Sequence, residues 1–520
     1  MIKLRIDKQN IEVEKGKTVL KAAQQLGIKI PTMCFLEGYS NHPSCMLCVV
    51  KDVKTGKLFP SCAMPAQENM DIITFDEEIE IARREALELL LSDHVGDCEA
   101  PCRPSCPAFM NIPKMNRLIA SGNFVLAHKT VKEHIALPLV LGYICPAPCE
   151  KACRRTQIDD AVSICQLKKT VAIDDFQNNH SFLPEKKKKS GKKIAVIGSG
   201  PAGLASAFYI LAEGHECDVY DKNEKIGGAL AYEVLENQLP ADVLLQEVEL
   251  IKKYGAKFIL NTEIDKNRFE KELIPNYDAI ILATGDYFGS KIENFGLEES
   301  KNGILVNKNN YATQKKGVFA CGNIVRSRRM SVNAVAQGRI AAFSASKFVN
   351  SEDFTQPERM FNSKFGKLRE AEIVQYQKEA ITDARQKTEN GKLGNLTFEQ
   401  AVIEAKRCLH CDCRKADDCK LRIFSDQYNA NQAKFAFIER KSLKKYFEHE
   451  LIIYEPEKCI RCNLCVDIAQ KDGEKIGLSS VKRGFRVEIS VPFDKNMTQA
   501  LQIVAIKCAN ACPTGALSVK

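Results

Sequence analysis

The cysteines constrain this chain more than any other feature. There are 22 in 520 residues, and all but Cys217 and Cys321 gather in tight groups. Small secreted domains reach such a density with disulfides. A long chain whose thiols stand two or three residues apart suits metal or cluster ligation better than loop stapling. A chain this long also exceeds one hydrophobic core, so several domains are expected. The start, MIKLRIDKQNIEVEKG, lacks the apolar core of a signal peptide, and no run approaches the ~18 apolar residues of a membrane span. The expectation is a reducing cytoplasm and no span.

The net charge is +9, and much of the bias lies in EKKKKSGKK (185–193). A nucleic-acid patch would interleave aromatics with such a run; this one reads as a solvated linker at a domain boundary. Residues 2–13 alternate like strands, and KTVLKAAQQLGI reads as a turn and short helix. Residues 76–92 are strongly helical and deliver the chain to His94. The stretch 107–182 reads as mostly helical, 192–350 as alternating strand and helix, and 352–407 as polar and helical.

The first cysteine group, Cys34, Cys45, Cys48 and Cys62, spaces as C-x10-C-x2-C-x13-C. Four thiolates on the loops of a small β-rich domain can hold a [2Fe–2S] cluster; zinc and four unrelated thiols are the other readings. The order and gaps, with PTMC and CMLC, resemble the N-terminal plant-ferredoxin-like domain of the large iron–sulfur subunit of complex I and of iron hydrogenases, over about residues 1–75.

The stretch HVGDCEAPCRPSCP spaces His94, Cys98, Cys102 and Cys106 four residues apart, and a second group, Cys145, Cys149, Cys153 and Cys165, follows. Its entry, a His-x3-Cys, also looks like complex I. The continuation, CRPSCPAFMNIPKMNRLIASGNF…GYICPAPCEKACRR…ICQLKK, is similar to the N-terminal helical domain of glutamate synthase small subunits and dihydropyrimidine dehydrogenases. That resemblance implies two [4Fe–4S] clusters with interleaved ligands. Cys98, Cys102 and Cys153 fall to one, and Cys106, Cys145 and Cys149 to the other. His94 is the expected fourth ligand of the first. For the second the family's register points to Lys168, a poor ligand while protonated, so Cys165, one helical turn earlier on the same face, is expected instead.

KIAVIGSGPAG places G-x-G-x-x-G directly after a strand and at the start of a helix, with Asp221 ending the next strand, 23 residues after Gly198. With KIGG, LATGD and GVFACGN…SVNAVAQG, the set resembles the FAD domain of two-dinucleotide-binding flavoproteins. The implied FAD ligands are Gly198, Gly200, Pro201, Ala202, Gly203, Asp221, Lys222, Gly227, Gly228, Ala283, Thr284, Gly285, Gly322, Asn323, Asn333 and Ala334. Asn323 stands where the family has Asp. Only about thirty residues separate LATGD from GVFACGN, and a βαβ unit alone needs about that length, so the family's nicotinamide domain is expected to be missing.

CLHCDCRKADDC offers Cys408, Cys411, Cys413 and Cys419, which fit a [4Fe–4S] cluster or structural zinc, and looks like the EA-x-RCL-x-C element of the same superfamily. The tail pairs CIRCNLC with a Cys-Pro at 512, and in bacterial ferredoxins the cysteine before Pro completes the cluster begun by the other triplet. Cys459, Cys462, Cys465 and Cys512 then form one [4Fe–4S] set, with Cys508 a spare thiol and Ala469 in place of a second cluster's ligand.

These readings predict a multidomain α/β protein. It comprises a β-grasp ferredoxin-like domain (1–75), an α-helical two-cluster domain (76–184), a Rossmann-like FAD domain (192–350), a helical segment with a four-cysteine site (351–450) and a ferredoxin-like α+β domain (451–520). The cofactors expected are FAD, one [2Fe–2S], three [4Fe–4S] and a fourth [4Fe–4S] or zinc at 408–419. The function they imply is an electron-transferring iron–sulfur flavoprotein subunit of a cytoplasmic oxidoreductase complex. Its partners would resemble NADH-oxidising flavoproteins, ferredoxin, or hydrogenase or formate dehydrogenase catalytic subunits, and flavin-based bifurcation is compatible with that set. A self-contained NAD(P)H oxidoreductase like a glutamate synthase small subunit is the alternative, and a zinc-knuckle scaffold is a third, which an iron-free preparation would favour. No acid, base or nucleophile stands out; Cys217 and Cys321 read as core thiols.

Overall fold

Strand alternation at the N-terminus produces the sheet that its period demands. In the computed structural model, which describes residues 1–178, 182–286, 295–326, 330–355, 360–436 and 439–520, β1 (Ile2–Ile6) pairs antiparallel with β2 (Gln9–Val13). Helix α1 (Val19–Gln25) starts where Thr18 accepts the N–H of Lys21. Strands β3 (Val49–Asp52), β4 (Leu58–Pro60) and β5 (Asp71–Ile73) complete a mixed sheet of order β2-β1-β5-β3-β4. Leu4, Ile6, Val19, Leu20 and Ile72 fill its core beside Cys48 and Cys62. Helix α2 (Glu77–Asp93) is capped by Asp76, which accepts the N–H of Ile79 at 2.7 Å, and Glu77, Glu78 and Glu80 complement its N-terminal dipole. It ends at His94.

The chain divides into two units. The first comprises Met1–Ala100, Arg359–Glu379 and His410–Lys520; the second, Pro101–Glu358 and Ala380–Leu409.

The second unit opens with short helices: α3 (Cys102–Ser105), α4 (Ile112–Ala120), α5 (Phe124–Lys132), α6 (Pro138–Ile144), α7 (Pro148–Lys151) and α8 (Ile164–Gln177). Asn111 and Asn123 cap α4 and α5. A parallel sheet follows: β6 (Lys193–Ile197), β7 (Glu216–Tyr220), β8 (Lys257–Ile259), β9 (Ala279–Leu282) and β10 (Val318–Ala320), in the order β10-β9-β6-β7-β8. Strands β9 and β10 and most of β6 are apolar runs, as expected where both faces are covered. Helices α9 (Pro201–Ala212) and α11 (Ser331–Val349) cross closely, since Gly338 carries no Cβ to meet the carbonyl of Ala202 at 2.3 Å; α10 (Ala241–Lys253) packs on α9. Of the stretch between LATGD and GVFACGN, residues 287–294 lie outside the described residues. Its described part holds one short antiparallel pair, Glu299–Ser300 with Gly303–Ile304.

Two buried ionic groups lock this unit. Arg407 and Glu404 are both fully buried and paired at 2.9 Å, and Arg407 and Arg155 share Asp159. The two Glu404 oxygens also accept the N–H groups of Ser163 and Gln386. Glu247, on α10, accepts the N–H groups of Leu139 and Val140 at the start of α6. Burial pushes its carboxyl up to about 7, against the pull of Lys132 and those two donors.

In the first unit's C-terminal part, Ile452–Tyr454 pairs antiparallel with Leu517–Val519 over the helices Leu464–Lys471 and Ala505–Ala511. Among the described residues no helix is long and apolar enough to cross a membrane.

Arg407→Met strands Glu404 without its cation and is expected to destabilise the chain by about 3–5 kcal/mol in denaturant unfolding. Glu247 titrates higher folded than its unfolded value of about 4.3. Its stabilising contribution is therefore complete below that value and is lost as pH rises through about 7. The apparent melting temperature is expected to fall between pH 5 and 8, and to fall less in Glu247→Gln.

Candidate functional site

The thiols of the first cysteine group are drawn together by the fold. Cys34, Cys45, Cys48 and Cys62 are all buried, with Cys34 Sγ 3.4 Å from Cys45 Sγ. Hydrogen bonds with the Cys45 and Cys62 thiols hold Cys34 below the usual thiol range. Ser61 and Asn41 fix the loop through the carbonyls of Cys48 and Cys62. Cys459, Cys462, Cys465 and Cys512 line one small cavity with Tyr454, Ile489 and Thr514. Arg461 and Asn463 adopt left-handed φ values there and wrap the loop around it. Burial pushes Cys459 up to about 11, and the neighbouring thiols add to burial in raising Cys465. Such thiols become anions only when a metal centre supplies the positive charge, so the donor set fits one. Cys508 lies in the core beside Ala469 and not on that cavity.

In the second unit Cys106, Cys145, Cys149 and Cys165 all act electrostatically on buried Lys168. Burial opposes the charge of Lys168, but these four thiols hold its ammonium above the usual range. Cys165 hydrogen-bonds Cys145 and sits against the carbonyls of Leu141 and Gly142. Glu150 accepts the N–H of Cys165, and Arg385 pairs with Glu150 at 2.5 Å. Lys168, the position indicated by the family register, is thus a buried cation under the influence of these four thiols.

Two expected sets include residues assigned to both units. Of His94, Cys98, Cys102 and Cys153, the first two belong to the first unit and the last two to the second. Of the 408–419 group, Cys408 belongs to the second unit, and Cys411, Cys413 and Cys419 to the first. The cause lies in the backbone. After α2 the chain runs extended, and Cys98 exchanges hydrogen bonds with Ser363, while the N–H of Cys413 donates to the carbonyl of Cys98 at 3.1 Å. Cys98 and Cys413 both act electrostatically on Cys419, whose thiol burial pushes up to about 12. Cys153 instead neighbours Arg155, whose guanidinium donates to the carbonyl of Arg407, next to Cys408. Cys102 is on α3, which packs against α7. His94 lines a cavity of about 420 Å³ with Cys45, Lys458 and Cys459. Its buried Nδ1 has no hydrogen-bond partner, and burial with Lys458 nearby pushes the imidazole down to about 4, so it is neutral. Among the described residues no three His, Cys, Asp or Glu side chains are arranged to hold a single metal ion.

A cavity of about 670 Å³ opens at the carboxyl ends of the parallel strands. It is lined by Gly198, Gly200, Pro201, Ala202, Asp221, Lys222, Gly228, Ala283, Thr284, Gly285, Gly322, Asn323 and Ala334. Gly203, Gly227 and Asn333 do not line it. Gly203 lets α9 start against the carbonyl of Gly198, Gly227 packs beneath Leu244, and Asn333 has a buried Nδ2 without a partner. Gly198 has φ +106°, and a Cβ on it would stand 2.3 Å from the carbonyl oxygen of Ala283. The sequence reading missed Ser199. Its N–H and hydroxyl both donate to Asp221 Oδ2, while Asn223 N–H takes Oδ1. Of about four acceptor positions on the carboxylate, one is left for a ribose hydroxyl. Gln337 Oε1 accepts the N–H of Gly322 and sets the turn carrying Asn323. Nothing in the sequence between them marks that pair. Cys217 and Cys321 are buried, and Cys321 lies 3.8 Å from Ser206 Oγ, its thiol pushed up to about 12 by burial.

Residues 1–77 match the model of a 2Fe-2S iron-sulfur cluster binding domain. Residues 78–180 match dihydropyrimidine dehydrogenase domain II, 4Fe-4S cluster, and residues 196–259 an NAD(P)-binding Rossmann-like domain. The NADPH-Fe(3+) oxidoreductase subunit beta of Geobacter sulfurreducens is 32% identical over 208 residues, 40% of this chain and 31% of its own length. The glutamate synthase [NADPH] small chain of Bacillus subtilis is 36% identical over 180 residues, 35% of this chain and 36% of its own. The NAD-dependent dihydropyrimidine dehydrogenase subunit PreT of Salmonella typhimurium is 31% identical over 235 residues, 45% and 55% respectively. The chain thus spans about a third of the first two and about half of the third. The likeness to glutamate synthase small chains and dihydropyrimidine dehydrogenase subunits, read from the motifs, is met by these comparisons. The chain is a multidomain α/β protein with a parallel Rossmann-like sheet, a helical iron–sulfur domain and a 2Fe–2S domain.

Gly198→Ala is expected to lower bound dinucleotide at least about tenfold, a cost of ~1.4 kcal/mol or more, measured as adenine released per chain on denaturation. An unchanged yield would remove the Gly-rich turn from the site.

Proposed function

We propose that the chain is an electron-transferring iron–sulfur flavoprotein subunit of an oxidoreductase complex. One observation carries this reading. In the first unit, Cys34 and Cys45 of the N-terminal set, Cys462 of the tail set, and Cys419 share one apolar core with Met33, Leu87 and Leu464, and the charge of Cys34 acts on Cys462. Centres held there would pass electrons through packed side chains without crossing solvent.

The assignment within this reading follows the thiol sets. Cys34, Cys45, Cys48 and Cys62 take a [2Fe–2S] cluster in a β-grasp ferredoxin-like domain, which the β1–β2 hairpin and the parallel β1–β5 pair support. Cys106, Cys145, Cys149 and Cys165 take a [4Fe–4S] cluster; Cys459, Cys462, Cys465 and Cys512 take another in a bacterial-ferredoxin-like tail. The dinucleotide is FAD, because the cavity runs from Gly198 and Asp221 to Gly322, Asn323 and Ala334, elements a simple nicotinamide fold lacks. FAD accepts electrons in pairs and releases them singly. The chain's part is to orient the pyrophosphate at the N-terminus of α9, bind ribose at Asp221 and exclude water from the thiol sets. The 22 free thiols fit a reducing compartment such as the cytoplasm. Partners are other redox subunits that feed or drain the centres, in a hetero-oligomer; NADH-oxidising flavoproteins, ferredoxin and dehydrogenase or hydrogenase subunits have suitable chemistry.

A second reading, a self-contained NAD(P)H oxidoreductase, draws support from the NAD(P)-binding description of the model matched by residues 196–259. Anaerobic titration of the isolated chain separates the two. Neither NADH nor NADPH is expected to bleach the flavin and iron–sulfur absorbance, whereas dithionite does. Prompt bleaching by either nucleotide would replace the relay with the self-contained enzyme.

A further inference from the structure

Cys98, Cys413 and Cys419 come from segments more than three hundred residues apart, yet the fold clamps them together. Cys98 is fixed on both sides: its N–H donates to the carbonyl of Ser363, and the N–H of Ser363 donates to its sulfur at 3.4 Å. The carbonyl of Cys98 receives the N–H of Cys413. Next along the chain, Glu99 is buried and paired with buried Arg422 at 2.7 Å. Arg422 also donates to the carbonyls of Ala416 and Phe361, so one guanidinium ties the Cys98 strand to the Cys413–Cys419 loop. Cys413 itself lies against Gly515, where a Cβ would stand 2.3 Å from its sulfur.

Lys445, Glu455 and Lys458 are each at most 5% exposed in the side chain, and the two lysines share the single carboxylate, at 3.5 and 2.6 Å. The stem of Lys458 passes the same Gly515 position that Cys413 occupies, 3.5 Å from where its Cβ would be. Burial, with Glu455 and Asp412, opposes a thiolate at Cys413 while Lys458 favours it, and a thiolate buried this deeply is a metal ligand. One tetrahedral ion with Zn–S bonds of about 2.3 Å would need the sulfurs nearly in contact. Among the described residues no such one-ion group exists, whereas a cluster takes each thiolate on a different iron.

We propose that Cys98, Cys413 and Cys419 supply three thiolate ligands to a [4Fe–4S] cluster of the first unit, assembled across the chain. The proposal rests on the iron–sulfur reading above and regroups ligands that sequence proximity assigns to two other sites.

The test uses the full chain purified without oxygen, comparing Cys98→Ser, Cys413→Ser and Cys419→Ser with Cys153→Ser. Iron and acid-labile sulfide per chain, zinc, and low-temperature EPR of the dithionite-reduced protein are recorded, with retained flavin as the check on folding. Each of the first three variants is expected to lose about four iron atoms and the same EPR signal. The double variant Cys98→Ser/Cys413→Ser should lose no more than either single one, and Cys153→Ser should leave that signal in place. Any one folded variant of the three decides; where serine does not fold, alanine at that position serves. The proposal is overturned if Cys98→Ser removes the signal that Cys153→Ser removes while Cys413→Ser leaves it. It is equally overturned if zinc is lost in place of iron, or if no metal is lost. A wild-type chain with neither iron nor flavin would instead defeat the underlying reading.

Discussion

Charge burial is the constraint on which this molecule depends. A buried thiol is neutral by default, because desolvation penalises its anion, and a neutral thiol is a poor ligand. The chain answers with buried cations beside its thiol sets. Lys168 feels the charge of Cys106, Cys145, Cys149 and Cys165, and Lys458 acts on Cys413. Such lysines would be costly in an ordinary core, where Lys is almost never fully buried unless paired. Here their positions make sense only with anions around them.

The same economy governs the structural ionic groups. Glu404 is buried with Arg407 and two backbone donors, and Glu247 caps the first turn of α6 from a neighbouring helix. Each carboxylate has a specific set of donors drawn from distant segments. These pairs add little net stability over an apolar equivalent, but breaking one leaves an uncompensated charge. They therefore specify which helix meets which around the thiol ring.

What could be read from the sequence was local. The G-x-G-x-x-G turn after β6, Asp221 at the end of β7 and the C-x2-C-x2-C triplet each encode their geometry within one or two elements, and the structure puts them at one cavity or one loop. The choice of Cys165 rests on the family's register at Lys168 together with the helical period. The backbone partners of Cys98 were not legible. The family resemblance groups Cys98 with Cys102 and Cys153, while its backbone bonds to residues 363 and 413, and pairing over such separations leaves no trace in spacing. Ser199 was missed for a related reason: its contact with Asp221 depends on how two adjacent parallel strands end, not on the motif between them.

Lys168 has one more consequence. The potential of an iron–sulfur centre follows its net charge and immediate electrostatic surroundings. With an ammonium acting on the four thiols, the set as a whole carries one negative charge fewer than an all-thiolate set of the same shape. A centre held there accepts an electron more readily than its ligands alone would dictate.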